Sequence, residues 1–329
     1  MDRRSVCVAG KWFAFLITKK RKSMVMARWT NWLGIIVMGL GFLVGSPQGT
    51  PVVWADMPSA PQPQKHFLWK VESKQNTVYL LGSIHALQQK HYPLSPTIYN
   101  AFNQCGTIMF EVDLGELFSP MSQLQLLTKG LYITGDTLKT VLSPDQYETA
   151  KVLMAERGHN IEDFHRMKPW MAASAVTALE LQRIGFDGEF GVDRHIFEKA
   201  QESKVDIEGL ESVEYQLGLF ENLPLRVQEY FLIQSLEDLE DIENRIQAIV
   251  KAWEGGQVKE LEALLAGMKD YPELYQSLVV TRNQNWLPQI EQRLQKRGPV
   301  FVVVGALHLL GEEGILAALG KKGYRVEQM

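Results

Sequence analysis

Two similar stretches decide how this chain of 329 residues folds: VYLLGSIH at residues 78–85 and FVVVGALH at residues 301–308. Each is an apolar run followed by a glycine, two further residues and a histidine. Such runs predict strands buried in a parallel sheet, and a glycine at the strand exit allows backbone angles that other residues avoid. Because open α/β sheets bind ligands beyond the carboxyl ends of their strands, His85 and His308 are predicted to face one crevice if the two strands are neighbours.

The rest of the chain predicts one sheet built from both ends, with helices between them. Strands are predicted over residues 77–81, 107–112, 205–207, 299–304 and 324–327. Helices are predicted over residues 95–102, 192–201 and 312–319. Between about residues 117 and 297 the chain is mostly helical, and apolar side chains recur at three- and four-residue steps over residues 232–249. The predicted fold class is therefore α/β: a mixed, largely parallel central sheet built from both chain ends, with a large helical insertion.

Charge divides the chain into two unequal parts. Residues 1–55 carry eight Lys and Arg side chains and one Asp, whereas residues 56–329 carry 26 basic and 37 acidic side chains. Binding to nucleic acid requires clustered cations that neutralise phosphates. Because the larger part is acidic, we expect no nucleic-acid partner.

The N-terminal part has the order of a secretory signal peptide. Basic residues precede an uncharged apolar centre at residues 33–44, which is shorter than the roughly 20 residues of a spanning helix, and the small-residue pattern VWA follows at residues 53–55. We predict a signal peptide or N-terminal anchor over residues 1–55, a flexible spacer over 56–65 and an α/β domain over 66–329. The domain is therefore expected in the periplasm or outside the cell, and at a membrane only through an uncleaved N-terminal segment.

Acidic residues follow two of the predicted strands. Glu111 and Asp113 are alternate residues in MFEVD and are predicted to point to one face of the strand. A carboxylate in an apolar strand is costly to bury unless a cation or hydrogen-bond donors meet it, which makes Glu111 a candidate site residue. Glu211, after the third predicted strand, is a second candidate. Glu214 either shares a helical face with Glu211 or lies on a solvated surface.

Two histidines with one or two carboxylates form a ligand set that suits a divalent transition metal such as Zn²⁺, Mn²⁺ or Co²⁺. The predicted metal ligands are His85, His308 and Glu111, and Glu111 and Glu211 are also predicted catalytic residues. A metal would lower the pKa of its bound water and polarise a carbonyl group, while an unligated glutamate takes the proton. In the alternative without a metal, His85 activates water directly and Glu111 orients it.

Several familiar catalytic motifs do not occur in the sequence. There is no HExxH, no Gly-x-Ser-x-Gly, no Walker loop and no GxGxxG followed by the expected acidic residue. The chain therefore offers histidine and glutamate for its chemistry, and not a nucleophilic serine or cysteine.

The remaining histidines and Cys105 are predicted to be structural. The histidines expected at surface or capping positions are His66, His91, His159, His165 and His195. Asp193 and His195 could line the crevice, but a helix capped by Gly191 explains both, because a carboxylate such as Asp193 is favoured in the first turn of a helix. Cys105 is expected as a small core residue.

The chain resembles one known family along nearly the whole of its predicted domain. The stretches that carry the resemblance are VYLLGSIHAL, YPLSPTIYNAF, IMFEVD, KPWMAA, GVDRHIFEKA, VDIEGLES, TRNQNW and FVVVGALHLLGEEGILAALGKKGYRV. Their order and spacing are similar to those of the TraB/PrgY/GumN family, which includes the animal Tiki proteins. The resemblance implies an α/β core like those of erythromycin esterase and ChaN, and a metal-dependent protease that clips peptides near their amino ends.

The resemblance also implies roles for particular residues. It makes His85 and His308 the two Gly-x-x-His histidines of the family and Glu111 its strand glutamate. It makes Arg282 and Asn283 the Arg-Asn pair of the family, and we expect both among the catalytic residues.

Arg282 has two interpretations. On a predicted helix it can hold a substrate carboxylate or stabilise an oxyanion. Alternatively, it forms an ion pair with Glu111 or Glu211 inside the crevice.

These observations lead to three hypotheses about function. The first is a secreted or periplasmic metal-dependent hydrolase that acts on a peptide or on another small amide or ester. The second is a haem- or metal-binding protein of the ChaN type, in which the same imidazoles ligate iron. The third is a module that sequesters peptides without turnover. No oligomeric state is predicted.

Overall fold

The computed structural model of this chain describes residues 65–329. The predicted signal segment over residues 1–55 and all but the last residue of the predicted spacer lie outside the described residues. Within residues 65–329, no helix is both long and apolar enough to cross a membrane.

The described chain folds around a six-stranded sheet. Its strands are β1 (Leu68–Glu72), β2 (Thr77–Ser83), β3 (Thr107–Phe110), β4 (Asp206–Gly209), β5 (Val300–Gly305) and β6 (Arg325–Gln328). The strand order is β4-β3-β5-β2-β1-β6; β4, β3, β5 and β2 run parallel, and β1 is antiparallel to both of its neighbours. The predicted fold class is therefore confirmed, because the sheet is mixed and largely parallel and both chain ends contribute strands to it.

The two strands that lead into Gly-x-x-His lie next to each other at the centre of the sheet. β2 pairs with β5 in parallel, with Ser83 opposite Gly305. β5 is buried along its whole length and β2 from its second residue onward, as expected for continuous apolar runs in a parallel sheet. His85 and His308 therefore leave the sheet at the same edge.

The sequence predicted neither β1 nor the position of β6. β1 pairs with β2 on one side and with β6 on the other, so the last strand is added beyond β1 at the edge of the sheet. β1 combines apolar residues with Lys70 and Glu72, which are partly exposed and form an ion pair at 2.6 Å. Such a half-polar pattern of five residues is a weak signal for a strand.

The third strand ends before the predicted site glutamate. β3 stops at Phe110, so Glu111 lies just beyond the strand instead of inside it. The chain turns there because Asp113 caps the next helix, with its side chain accepting the N–H of Gly115 at 2.8 Å. Asp113 therefore has a structural role and does not share the site of Glu111.

Helices make up most of the remaining described chain. The α-helices are α1 (Pro96–Phe102), α2 (Leu114–Leu117), α3 (Pro120–Gly130), α4 (Leu138–Val141), α5 (Pro144–Glu156), α6 (Pro169–Arg183), α7 (Val192–Ser203), α8 (Val213–Glu221), α9 (Leu225–Asp238), α10 (Ile242–Glu254), α11 (Val258–Leu265), α12 (Pro272–Tyr275), α13 (Thr281–Leu294), α14 (Ala306–Leu309) and α15 (Ile315–Lys321). Short 3₁₀ helices span Gln89–His91, Ile161–Phe164, Gly188–Phe190, Leu239–Asp241 and Ala266–Asp270, and a π-helical turn spans Gln276–Val280.

The helical insertion contacts the sheet where the site lies. Trp253 of α10 donates its indole N–H to the carbonyl oxygen of Gly82 at 2.6 Å, which fixes the exit of β2. The start of α7 packs equally closely, because a Cβ at Gly191 would lie 2.5 Å from the carbonyl oxygen of His85. The next residue, Val192, donates its N–H to the carbonyl of Ile84 at 2.9 Å. The first turn of α7 is thereby held against the backbone of the first Gly-x-x-His stretch.

Candidate functional site

The first histidine is oriented by a carboxylate that the sequence analysis assigned to helix capping. His85 Nδ1 lies 2.8 Å from Asp193 Oδ1, and both side chains are almost completely buried. Asp193 reaches His85 because Gly191 lets the first turn of α7 approach the backbone there. Burial raises the pKa of Asp193 above its usual value, although His85 opposes the shift. Asp193 is thus a site residue. The sequence feature that could have indicated it is a carboxylate two residues after Gly191, a glycine that permits close packing.

The second histidine is held in one tautomer by two neighbours on α13. His308 Nε2 lies 3.0 Å from Arg282 Nη1, which can only donate, so Nε2 accepts and Nδ1 carries the proton. That Nδ1–H donates to Asn283 Oδ1 at 2.8 Å, while Asn283 Nδ2 donates to the carbonyls of His308 and Glu313. Burial first, and then Arg282, lower the pKa of His308 to about 3. His308 is therefore a neutral imidazole whose Nε2 lone pair is engaged.

Glu111 lies between the two imidazoles. Its Oε1 accepts the backbone N–H of Gly305 at 2.7 Å and is 4.0 Å from His85 Nε2 and 3.8 Å from His308 Nε2. Its Oε2 accepts Arg282 Nη2 at 2.5 Å. Burial alone would raise the pKa of Glu111, but Arg282, the two histidines and the Gly305 N–H outweigh burial and lower the pKa to about 2. Glu111 is therefore ionised at neutral pH.

Arg282 binds both glutamates at once. Its Nη2 donates to Glu211 Oε1 at 2.6 Å as well as to Glu111, and its Nε donates to Glu211 at 3.0 Å. The indole N–H of Trp286 donates to Glu211 Oε2 at 3.0 Å. Burial would lower the pKa of Arg282, but the two carboxylates raise it above its usual value. The ion-pair interpretation of Arg282 is thus what the structure shows, with both glutamates as partners.

The pKa of Glu211 is shifted in the opposite direction to that of Glu111. Burial raises its pKa above the usual value, against the stabilising effect of Arg282. Gln216 Nε2 lies 3.3 Å from Glu111 Oε2 and 3.3 Å from Glu211 Oε1, so one amide bridges the two carboxylates. Glu214, by contrast, is exposed and outside this cluster.

A small cavity adjoins His85 and Glu111. Its volume is about 10 Å³, near the minimum that admits a single water molecule. Ser83 and Asp193 also line it, and the Ser83 hydroxyl and Asp193 Oδ2 are buried without a hydrogen-bond partner. Polar atoms of this kind are normally satisfied by water or by a ligand.

The six predicted site residues converge although the sequence spreads them from residue 85 to residue 308. They are His85, Glu111, Glu211, Arg282, Asn283 and His308. The sequence analysis missed Ser83, Gln216 and Trp286 and treated Asp193 as a capping residue. It also placed His195 at a surface or capping position, which is wrong, because this residue is buried and its Nε2 lies 2.9 Å from the Tyr99 hydroxyl. Cys105 is buried as expected.

The arrangement does not fit a metal bound by all three predicted ligands. The lone pair of His308 Nε2 accepts a hydrogen bond from Arg282, and the same guanidinium holds Glu111 Oε2. A metal ion at this position would need the engaged lone pair and would lie against a buried cation. Within residues 65–329, no group of three or more His, Cys, Asp or Glu side chains is arranged to hold a metal ion.

The sequence of nearly the whole described region defines the class of protein. The chain belongs to the TraB/PrgY/gumN family, whose match covers residues 67–328. It is 23% identical to the uncharacterized protein YbaP of Escherichia coli K12 over 71% of this chain and 84% of that protein. It is 21% identical to an uncharacterized protein of Treponema pallidum over 81% of this chain and 83% of that protein.

A more distant relative has a named activity. The chain is 23% identical to the Metalloprotease TIKI2 of Danio rerio over 87% of this chain and 65% of that protein. No solved structure is significantly similar to this chain.

Proposed function

We propose that this chain is a hydrolase that cleaves an amide or ester bond, with peptides as its substrate class, and that His85 activates the attacking water. The observation that carries the proposal is the buried pair of His85 and Asp193 beside Glu111 and a cavity of about 10 Å³. An imidazole held at Nδ1 by a carboxylate is oriented to accept a proton at Nε2.

The proposed reaction assigns a role to each group near the cavity. Water between His85 Nε2 and Glu111 Oε1 donates one hydrogen towards each, and its oxygen attacks the carbonyl carbon of the substrate. His85 takes the proton as this bond forms and returns it to the leaving nitrogen or oxygen as the scissile bond breaks. Asp193 stabilises the imidazolium that exists between the two transfers.

The likeness to Metalloprotease TIKI2 supports the peptide as substrate. The predicted signal segment supports a periplasmic or extracellular location for the reaction. Membership of the family supports neither a particular peptide nor a particular bond.

A metal-dependent form of the same hydrolysis is the alternative to this proposal. It is favoured by the orientation of the imidazoles, since both are held at Nδ1 and turn Nε2 towards one oxygen of Glu111, as histidine ligands of metals usually are. It requires Arg282 to withdraw from His308 and Glu111. A haem carrier is less well supported, because the lone pair of His308 Nε2, which would have to bind the iron, accepts a hydrogen bond from Arg282.

The test uses the full chain with a mixture of peptides of known sequence and a panel of chromogenic esters, in buffer treated with a chelator. We expect cleaved products from the unmodified chain and a decrease of about 100-fold or more in His85→Gln and Asp193→Asn. His165→Gln, at an exposed histidine, is the matched control and keeps full activity.

Three results would contradict the proposal. Equal hydrolysis by His85→Gln would remove His85 from the chemistry. Saturable peptide binding without any product would support sequestration instead. Activity that disappears with the chelator and returns with Zn²⁺, Mn²⁺ or Co²⁺ would support the metal-dependent form.

A further inference from the structure

We infer that the Arg282 guanidinium is itself the cation of this site, that it excludes a divalent metal from the two buried glutamates and His308, and that its removal creates a metal site. The inference concerns the charge of the site and does not depend on the hydrolytic activity.

The guanidinium of Arg282 lies between Glu111, Glu211 and His308. One nitrogen, Nη2, lies 2.5 Å from Glu111 Oε2 and 2.6 Å from Glu211 Oε1, and a second, Nη1, lies 3.0 Å from His308 Nε2. The guanidinium therefore contacts both carboxylate oxygens of Glu211, one of Glu111 and Nε2 of His308, on three side chains that come from different parts of the chain. A metal ion shared by the three side chains would bind the Nε2 of His308 and an oxygen of each carboxylate, and the guanidinium occupies the space between these groups.

Arg282 balances the charge of two buried carboxylates. The side chains of Arg282, Glu111 and Glu211 are at most 5% exposed. Two carboxylates this close repel each other strongly when both are ionised, so burying them requires a cation between them. Arginine is suited to this role because its planar fork keeps its charge and donates in several directions at once.

Other hydrogen bonds hold the partners of Arg282 in place. Asn283 fixes His308 with Nε2 facing Arg282, and Trp286 and Gln216 fix Glu211. These contacts do not involve the guanidinium, so they persist when it is removed. Two carboxylates and an imidazole with fixed orientations form a donor set for Zn²⁺ or Co²⁺.

The test compares metal binding by the full chain and four variants after dialysis against Zn²⁺ or Co²⁺ and washing, with any affinity tag removed. The variants are Arg282→Lys, Arg282→Ala, His308→Ala and the double variant Arg282→Ala/His308→Ala. We expect no stoichiometric metal in the unmodified chain or in Arg282→Lys, which keeps a cation. We expect about one metal per chain in Arg282→Ala, with visible absorption from bound Co²⁺ and a metal-dependent rise in the unfolding temperature. The double variant Arg282→Ala/His308→Ala loses this metal.

Two results would overturn the inference. One is about one metal per chain in the unmodified chain that is lost in His308→Ala, because the guanidinium would then not exclude it. The other is a folded Arg282→Ala that binds neither ion. Folding of Arg282→Ala only in the presence of Zn²⁺ would support the inference. If Arg282→Ala does not fold at all, the metal content of the unmodified chain and of Arg282→Lys decides the question. Stoichiometric metal in the unmodified chain would overturn this inference without contradicting the proposed hydrolysis. Absence of hydrolysis would contradict the proposed function without affecting this inference.

Discussion

At the scale of single residues, the site depends on side chains that hold other side chains. Asn283 is the clearest case, because it accepts from His308 Nδ1 and donates to the carbonyls of His308 and Glu313. It thereby fixes both the tautomer of His308 and the turn that carries it. A buried group with three partners is costly to remove, since each partner is left without its hydrogen bond.

We predict that Asn283→Ala lowers the free energy of unfolding by about 2–4 kcal/mol, because buried donors and acceptors lose their partner. Asn285→Ala is the matched control, since Asn285 lies on the same helix but is exposed, and it should change stability by less than about 0.5 kcal/mol. Urea unfolding of the three proteins measures both values. Equal stability of the two variants would show that the Asn283 contacts do not hold the site.

At the scale of elements, α7 sets the geometry of the first histidine. Gly191 brings the first turn of α7 against the carbonyl of His85, and Asp193 in that turn binds the imidazole. The position of one helix start therefore determines whether His85 can act as a base.

Gly191→Ala should displace α7 from His85, because a Cβ would lie 2.5 Å from the His85 carbonyl oxygen. We expect a loss of stability of about 1–3 kcal/mol, typical of overpacking, and a loss of hydrolysis similar to that of Asp193→Asn. Gly320→Ala in α15 is the control, since nothing lies within 4 Å of a Cβ there. Thermal unfolding and the hydrolysis assay test this, and full activity in Gly191→Ala would separate α7 from the function of His85.

A second prediction for α7 concerns pH. His195 is buried against Tyr99 and Tyr92, and burial first, then Lys199, lower its pKa from 6.5 to about 4. Between these pH values the unfolded chain binds a proton at His195 that the folded chain does not, so the contribution of this group to stability falls as the pH falls from 6.5 towards 4. The contribution of this one group reaches about 3 kcal/mol.

Unfolding free energies from neutral pH down to about pH 4 test this prediction in the unmodified chain and in His195→Phe, which cannot titrate. The variant should lose less stability on acidification. Parallel pH profiles would mean that His195 does not remain neutral in the folded chain. His308, whose pKa is about 3, adds a loss of the same sign in both proteins.

At the scale of the whole molecule, the pairing of the chain ends could be predicted from the sequence. The two Gly-x-x-His stretches carry local signals, namely apolar runs that end in glycine, and parallel pairing of β2 with β5 brings their histidines to one edge. Glu111 was predicted because a carboxylate is costly to bury alone, whereas Arg282 and Asn283 were predicted from the resemblance to the family.

Other features of the molecule could not be predicted in the same way. The role of Asp193 depends on close packing between α7 and the His85 backbone, which leaves no periodic signal. Burial of His195 depends on Tyr92 and Tyr99, which are about a hundred residues away along the chain. The competition between Arg282 and a metal depends on distances between three separate elements, so residue types alone favoured the metal.

Histidine-selective nuclear magnetic resonance is the most direct measurement of whether the two imidazoles share one buried site with Glu111 and Arg282. In chelator-treated full chain, we predict that His308 stays neutral with its proton on Nδ1 well below pH 6.5, and that Glu111→Gln shifts the ring signals of both His85 and His308. Glu148→Gln, at an exposed carboxylate, should shift neither. Titration of His308 near pH 6.5, or a response of only one histidine to Glu111→Gln, would contradict the account.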